Sequence, residues 1–458
     1  ASPAYADIAG LDATKSLNPL VEKVMPAVVS VEVKLSDKAV ADAGVEQGQQ
    51  DGQMPPDLKN FFDQFPGFKF RAPPQHNGGG RALGSGFVLT SDGYVVTNNH
   101  VVKDADNVKL TFQDGTSYDA KVIGTDQKTD LALLKINSTK TFPHVDFAKT
   151  EAKVGDTVMA VGNPFGLGGT VTRGIISARG RDIGSGPYDD FLQIDASINK
   201  GNSGGPTFNL DGEVVGINTA IYSPSGGSVG IGFAIPAATA ENVIDLLKSG
   251  DHKVTRGWLG VQIQPVSADI AESLGLSGTK GALVADFASK SPALKAGIKS
   301  GDVIVKVDDA AVDSDRDLAK IIGGIAPGKE VKIAVIRDGK PETVSVTLGT
   351  LPVENVAMNA APDAAPAVNE GHALAGLGLQ VVPAADGKGV KVIKIDPKSD
   401  AADIGIKEGD VILKIQDQDV TDQASVESAL KKATGKKVLL LVKTADGQSF
   451  VTLQKSNG

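Results

Sequence analysis

The sequence predicts a mostly β chain, a sandwich or barrel domain followed by two copies of a smaller domain. Three observations carry this. Between Gly84 and Pro236, short apolar runs (Phe87–Leu89, Tyr94–Thr97, Val108–Phe112, Leu131–Ile136) alternate with turn signals at Asp92-Gly93, Asp114-Gly115 and Asp211-Gly212. Strands at that spacing build sandwiches or barrels. Next, the segment Ser291–Lys306 recurs as Ser399–Lys414, with Gly297 returning as Gly405 and Asp302 as Asp410. Ten of the sixteen positions are identical without a gap, so the copies are separate, similar domains. Last, 458 residues are too many for one core, since domains typically run to about 100–200 residues.

Along the chain, Asn18 suits a helix N-cap and Pro19 the first helical position, predicting a helix over 19–25 and a strand over 27–33. Residues 36–82 are rich in Gln, Gly, Pro and Asp and read as a long mobile loop. Within it, Phe61, Phe62, Phe65, Phe68 and Phe70 either dock on another subunit, cover the active site or pack locally. Pro236–Lys248 carries apolar residues at helical spacing. Pro352–Gly371, rich in Ala, Pro and Asn, reads as a flexible linker.

Composition excludes several classes. A net charge of −9 argues against a nucleic-acid partner. There is no cysteine, hence no disulfide, no Cys-ligated zinc and no thiol nucleophile. His76, His144, His252 and His372 are scattered without ligand spacing, and no phosphate-cradling loop is present, so neither metal nor cofactor is expected. No apolar stretch approaches the roughly 18 residues of a membrane span. Ala4-Tyr5-Ala6 is either the remnant of an export-signal cleavage site or an arbitrary start.

Three motifs carry chemistry. His100 ends a β-type apolar run, Asp130 stands just ahead of another, and Ser203 lies in Gly201-Asn202-Ser203-Gly204-Gly205-Pro206. A serine hydroxyl is a weak nucleophile until a base stands within hydrogen-bond reach. Histidine suits that task near neutral pH, and a carboxylate must hold its other ring nitrogen protonated. The glycines allow a tight turn that aims backbone amides at one point, an oxyanion hole formed by Gly201, Asn202 and Ser203. Taken singly, the motifs fit a structural His, a strand-start Asp and an ordinary tight turn better than a catalytic site. The order His, Asp, Ser within a β-rich setting is that of chymotrypsin-like proteases.

At this point the sequence resembles the HtrA (Do-like) serine proteases. Thr97–Val101, Thr129–Leu134 and Gly201–Pro206 carry the likeness, with Leu83–Phe87, Ala160–Phe165, Ile217–Ile221 and Gly230–Pro236. It extends over both repeats, which resemble PDZ domains. The resemblance implies a chymotrypsin-like double β-barrel protease domain at 1–255, a first PDZ domain at 256–351, a linker at 352–372 and a second PDZ domain at 373–458. It implies a periplasmic endopeptidase for unfolded proteins, with a removed signal peptide, chaperone activity, homotrimers assembling into cages and peripheral contact with membranes. Ile198, Ile221 and Ile231 match an aliphatic specificity pocket, with plain barrel core as the competing reading. Arg181, in a Gly-rich stretch over 179–188, matches an activation-loop contact, against a solvated surface charge. Trp258, Leu259, Gly260 and Val261 match the loop that binds a peptide's C-terminal carboxylate. In the second repeat Leu377, Gly378 and Leu379 match it, with Gly376 where the first has Trp258, so the first repeat is the better candidate.

Overall fold

The computed structural model describes residues 16–35, 81–163, 169–199, 201–224, 227–352, 372–374, 376–433, 437–445 and 447–455, with backbone only at 35 and 81–83. The phenylalanine cluster, nearly all of the long loop, Ala4-Tyr5-Ala6 and most of the linker lie outside them. The chain divides into two units, Ala1–Val254 and Thr255–Gly458.

In the first unit, six strands form one closed barrel in the order β1-β2-β3-β6-β5-β4. They are β1 (Val28–Leu35), β2 (Arg81–Val88), β3 (Tyr94–Asn98), β4 (Ala105–Thr111), β5 (Ser117–Asp126) and β6 (Leu131–Ile136). A second closed barrel has the order β10-β11-β12-β9-β8-β7. Its strands are β7 (Thr157–Gly162), β8 (Thr170–Arg181), β9 (Phe191–Ile194), β10 (Pro206–Phe208), β11 (Val214–Ile221) and β12 (Gly232–Pro236). The period of two explains the core. In β3 and β6, Val95, Ala132, Leu134 and Ile136 join one apolar cluster of the first barrel. Their alternates Val96, Leu131 and Leu133 join another, with Met159, Val161, Phe208 and Ile217 of the second barrel. Both faces of these strands are therefore covered, which is why they read as near-continuous apolar runs.

Local differences from expectation have physical causes. The first helix spans Asn18–Val24, so Asn18 lies inside it, where its side-chain amide donates to Glu22 at 2.8 Å. The segment 179–188 is not wholly a loop. Strand β8 continues to Arg181, which pairs with Phe191 across the barrel wall. The remainder is folded onto the buried Asp189, whose carboxylate accepts the N–H of Ile183 at 3.0 Å and of Ser185 at 2.8 Å. Burial raises the Asp189 pKa above the usual carboxylate value, with the nearby Asp182 adding to the rise.

The second unit holds two sheets of the same plan. The first contains β14 (Val261–Pro265), β15 (Ala282–Phe287), β16 (Val303–Val307), β18 (Glu330–Arg337) and β19 (Lys340–Thr347) in that order, with β17 (Ala310–Ala311) beside β16. A short pair, β13 (Gly257–Trp258) and β20 (Gly349–Thr350), stands apart. The second sheet runs β21 (His372–Leu374), β22 (Leu379–Pro383), β23 (Val390–Ile395), β24 (Val411–Ile415), β26 (Lys437–Thr444) and β27 (Gly447–Gln454), with β25 (Gln418–Asp419) beside β24. The sequence repeat marks one conserved corner. Ser291 and Ser399 cap short helices through their hydroxyls. Gly297 and Gly405 take the left-handed backbone (φ 95° and 86°) that stops them. Asp302 and Asp410 accept the N–H of Lys299 and Lys407, each at 2.8 Å.

The two aspartates then diverge. Asp302 is 1% exposed and is also gripped by Arg337, through Nε at 2.8 Å and a second nitrogen at 2.6 Å. Among the described residues Asp410 has no such arginine. Breaking a buried pair from one side costs about 3–5 kcal/mol. Asp302→Asn is therefore expected to cost about 3 kcal/mol, the low end of that range, because Glu342 still holds Arg337 at 2.6 Å. Asp410→Asn keeps its acceptor and is expected to cost about 1 kcal/mol or less. Urea unfolding of the full chain separates the two, and equal shifts would contradict the assignment.

Candidate active site

Strand β3 ends in buried Thr97 and Asn98, and the chain then turns into a one-turn helix, Asn99–Val102, that carries His100. The apolar run before His100 is thus a strand, but His100 itself is helical. Opposite it, Asp130 sits at φ 55°, in the left-handed region that Asp tolerates better than most residues. Two donors fix this turn through the Asp130 carbonyl. They are the Asn98 side-chain amide at 2.9 Å and the Asn99 N–H at 3.1 Å.

The Asp130 carboxylate, on a residue 8% exposed, accepts three hydrogen bonds. Oδ1 takes the backbone N–H of His100 at 2.9 Å. Oδ2 meets His100 Nδ1 at 2.7 Å and the Thr219 hydroxyl at 2.8 Å. An ionised carboxylate can only accept. The ring nitrogen that faces this carboxylate, Nδ1, therefore donates the bond.

Ser203 comes from the turn ahead of β10, and both barrels clamp that turn. The Ser85 N–H, on β2, donates to the Ser203 carbonyl at 2.8 Å. The fully buried Ser85 hydroxyl donates to the Gly201 carbonyl at 2.6 Å and accepts the Asn163 N–H at 2.8 Å. A Cβ at Gly204 would collide with the Ser85 carbonyl and the Thr97 hydroxyl, so only glycine fits there. The Ser203 hydroxyl has one proton, and the Thr219 carbonyl, 3.3 Å from Oγ, accepts it in this conformation. Thr219 on β11 thus touches both Asp130 and Ser203, a link that no local pattern in the sequence signals.

Other expected site residues fall as follows. Gly201 has φ 94° and the Asn202 N–H donates to the Asn199 carbonyl at 3.0 Å. The Asn202 N–H is thus engaged within its own turn in this conformation. Ile198 and Ile221 are 2% and 6% exposed and belong to the second barrel's core, while half-buried Ile231 packs against the inter-barrel cluster. All three border Gly232, which pairs with Ile221 and lies under Ile198. Arg181 donates from Nε to the Gln193 side chain at 2.9 Å. Among the described residues there is no cluster of three His, Asp or Glu side chains placed for a metal ion, and no helix long and apolar enough to cross a membrane.

In the second unit, Trp258 ends β13, buried Leu259 and Gly260 (φ 71°) form the turn, and Val261 opens β14. Among the described residues, the N–H groups of Leu259 and Gly260 donate to no protein acceptor. Leu377 and Gly378 (φ 69°) form the matching turn ahead of Leu379 and β22, but there the Leu377 N–H donates to the Leu374 carbonyl at 3.1 Å.

Comparison with known proteins agrees with this architecture. A trypsin-like peptidase domain model matches residues 84–217, and PDZ domain models match 257–348 and 352–443. A probable periplasmic serine endoprotease, DegP-like, from Rhizobium meliloti (strain 1021) is 48% identical over 476 residues, covering 97% of this chain and 93% of the relative. One of the same description from Brucella suis biovar 1 (strain 1330) is 50% identical over 457 residues, covering 95% and 88%. Among solved structures, the HtrA-type protease AlgW with a tripeptide aligns with TM-score 0.60 at 35% identity, over 74% of this chain and 99% of that one. The serine endoprotease from Yersinia pestis aligns at TM-score 0.51 and 31% identity, over 74% and 100%.

Proposed function

The chain belongs to the HtrA-type, DegP-like serine endoproteases, built from a chymotrypsin-like double barrel and PDZ domains, and from that premise we propose that it cleaves unfolded envelope polypeptides in the periplasm by acyl transfer through Ser203. The observation that carries this is the triple acceptance at Asp130, which fixes the His100 ring with its proton on Nδ1.

In the proposed reaction Ser203 Oγ attacks the scissile carbonyl and gives its proton to His100 Nε2. The Gly201 and Ser203 amides stabilise the oxyanion. The imidazolium then protonates the leaving amine, and water hydrolyses the acyl-enzyme by the same route. Ile198, Ile221 and Ile231 around Gly232 favour a small aliphatic residue before the scissile bond, because an apolar lining excludes charge. On this reading the bonds from Ser203 Oγ to Thr219 and from the Asn202 N–H to Asn199 belong to the site before activation. Activation would rearrange residues 199–203, with Arg181 as the contact that responds. The first PDZ domain offers free turn amides to a peptide C-terminus. Homotrimers, larger cages and chaperone activity follow from the family premise.

The test is active-site labelling. A fluorophosphonate is expected to add its mass to the Ser203 peptide and to abolish casein digestion in step. The labelled, inactive protein should still suppress aggregation of an unfolded client. Digestion that persists after complete labelling of Ser203 would refute the mechanism, and loss of client protection would remove the chaperone role.

A further inference from the structure

The two PDZ domains differ at the one edge where a peptide would add. In the first, β14 is the edge strand, and it follows directly on the Trp258–Val261 turn. The turns of the two domains are equivalent in place. The Gly260 carbonyl accepts the Ala288 N–H at 2.9 Å, and the Gly378 carbonyl accepts the Asp396 N–H at 2.8 Å. Both glycines have the same left-handed backbone, φ 71° and 69°. A peptide bound there runs antiparallel to the edge strand and sets its C-terminus on the turn amides.

In the second domain that place is taken. Strand β21 lies along the outer edge of β22, antiparallel, with His372 opposite Val381, Ala373 opposite Gln380 and Leu374 opposite Leu379. Its last residue presents a carbonyl to the Leu377 N–H at 3.1 Å, the amide that would receive a carboxylate. The Leu374 side chain is 5% exposed and sits in the domain core with Leu377 and Leu379, where a ligand's terminal apolar side chain would go. Direction, polar contact and apolar contact all coincide with those of a bound C-terminus.

We propose that His372–Leu374 is an internal ligand of the second PDZ domain, closing its groove so that free peptide C-termini are read by the first domain alone until β21 is released. The inference rests on the reading of the Trp258–Val261 turn as a peptide site. A tethered strand competes at an effective concentration near the millimolar range for a short linker, far above most free peptides. If the groove is open about 1% of the time, its apparent affinity for a free peptide falls about 100-fold.

The experiment uses the full chain and a photo-crosslinking decapeptide with an apolar last residue and a free carboxylate, its sites mapped by mass spectrometry. The wild-type chain is expected to crosslink at Val261–Pro265 and not at Leu379–Pro383. Leu374→Asp, or the milder Leu374→Gly should the first unfold the domain, is expected to gain crosslinks at Leu379–Pro383 with roughly 100-fold tighter binding there. An amidated peptide should label neither. Hydrogen exchange adds a readout free of any variant, because the Leu377 amide should be protected in the resting chain. Equal labelling of both domains in the wild type, no gain in a folded Leu374 variant, or an unprotected Leu377 amide would each overturn the proposal. Absence of labelling at the first domain would instead refute the peptide-site reading, and Leu377 exchange would still decide whether β21 is seated.

Discussion

Ser203→Ala is expected to lower kcat by about 10⁶-fold, the scale seen when a triad nucleophile is removed from a serine protease. The loss should be chemical rather than structural. The turn is held by backbone groups, through the Ser85 N–H to the Ser203 carbonyl and the Gly204 N–H to the Asn218 carbonyl, both 2.8 Å. Alanine keeps both bonds and gives up only the 3.3 Å contact of Oγ with Thr219. Thermal unfolding should therefore shift little, by no more than about 1 kcal/mol for one lost hydrogen bond. A second substitution sharpens the test. Residues that act as a unit lose their effect together, so Ser203→Ala with His100→Ala should be about as slow as Ser203→Ala alone. Turnover of a valine-containing peptide by purified protein is the measurement. Residual activity above about 1% in the single variant, with contamination excluded by active-site titration, would mean that another group attacks the substrate.

The mostly β class and the doubled second half were legible because both are written in local pattern. Alternation in Val95-Val96 and in Leu131–Ile136 sends successive side chains to two different cores. The repeat at Gly297 and Gly405 survives because a left-handed helix stop tolerates little besides glycine. His100, Asp130 and Ser203 were legible as a set through their order and their small neighbours, which is a chemical rather than a conformational signal.

What stayed hidden depends on closure of the fold. Ser85 reads as an ordinary strand serine. Its role arises only when β2 of one barrel meets Gly201 and Asn163, 116 and 78 residues away. Thr219 is likewise a generic β residue until β11 carries it 89 residues back to Asp130. Strand β21 was hidden for the opposite reason. Its three residues adjoin a linker-like composition, and His372 looked like one more scattered histidine. Arg181 sits in a Gly-rich stretch that reads as a loop, but β8 runs through Gly180 to Arg181, which pairs with Phe191. For Ser85 and Thr219 long-range contact overrode a local signal, and for β21 and Arg181 strand pairing did, as tertiary context does for strands generally.

Asp130→Asn is expected to lower kcat by about 10⁴-fold while leaving the fold in place. The reason lies in the count of donors. Asp130 accepts three hydrogen bonds, one at Oδ1 from the His100 backbone and two at Oδ2 from the His100 ring and the Thr219 hydroxyl. Asparagine offers one acceptor oxygen and one NH2 group. The backbone N–H of His100 cannot reverse its polarity, so the oxygen must stay there and the NH2 must face the ring. Thr219 can rotate its hydroxyl and accept. The imidazole can satisfy the NH2 only by giving up its Nδ1 proton, which moves that proton to Nε2. In that tautomer Nε2 cannot take the proton of Ser203, and the base is lost although the fold is kept. The prediction therefore separates two roles for Asp130. If it sets the tautomer, kcat collapses, thermal stability changes by only about 1 kcal/mol, and fluorophosphonate labelling of Ser203 slows in parallel. If Asp130 merely anchors the turn, a folded Asp130→Asn protein will turn over peptide within tenfold of the wild type, and the base must be oriented by something else.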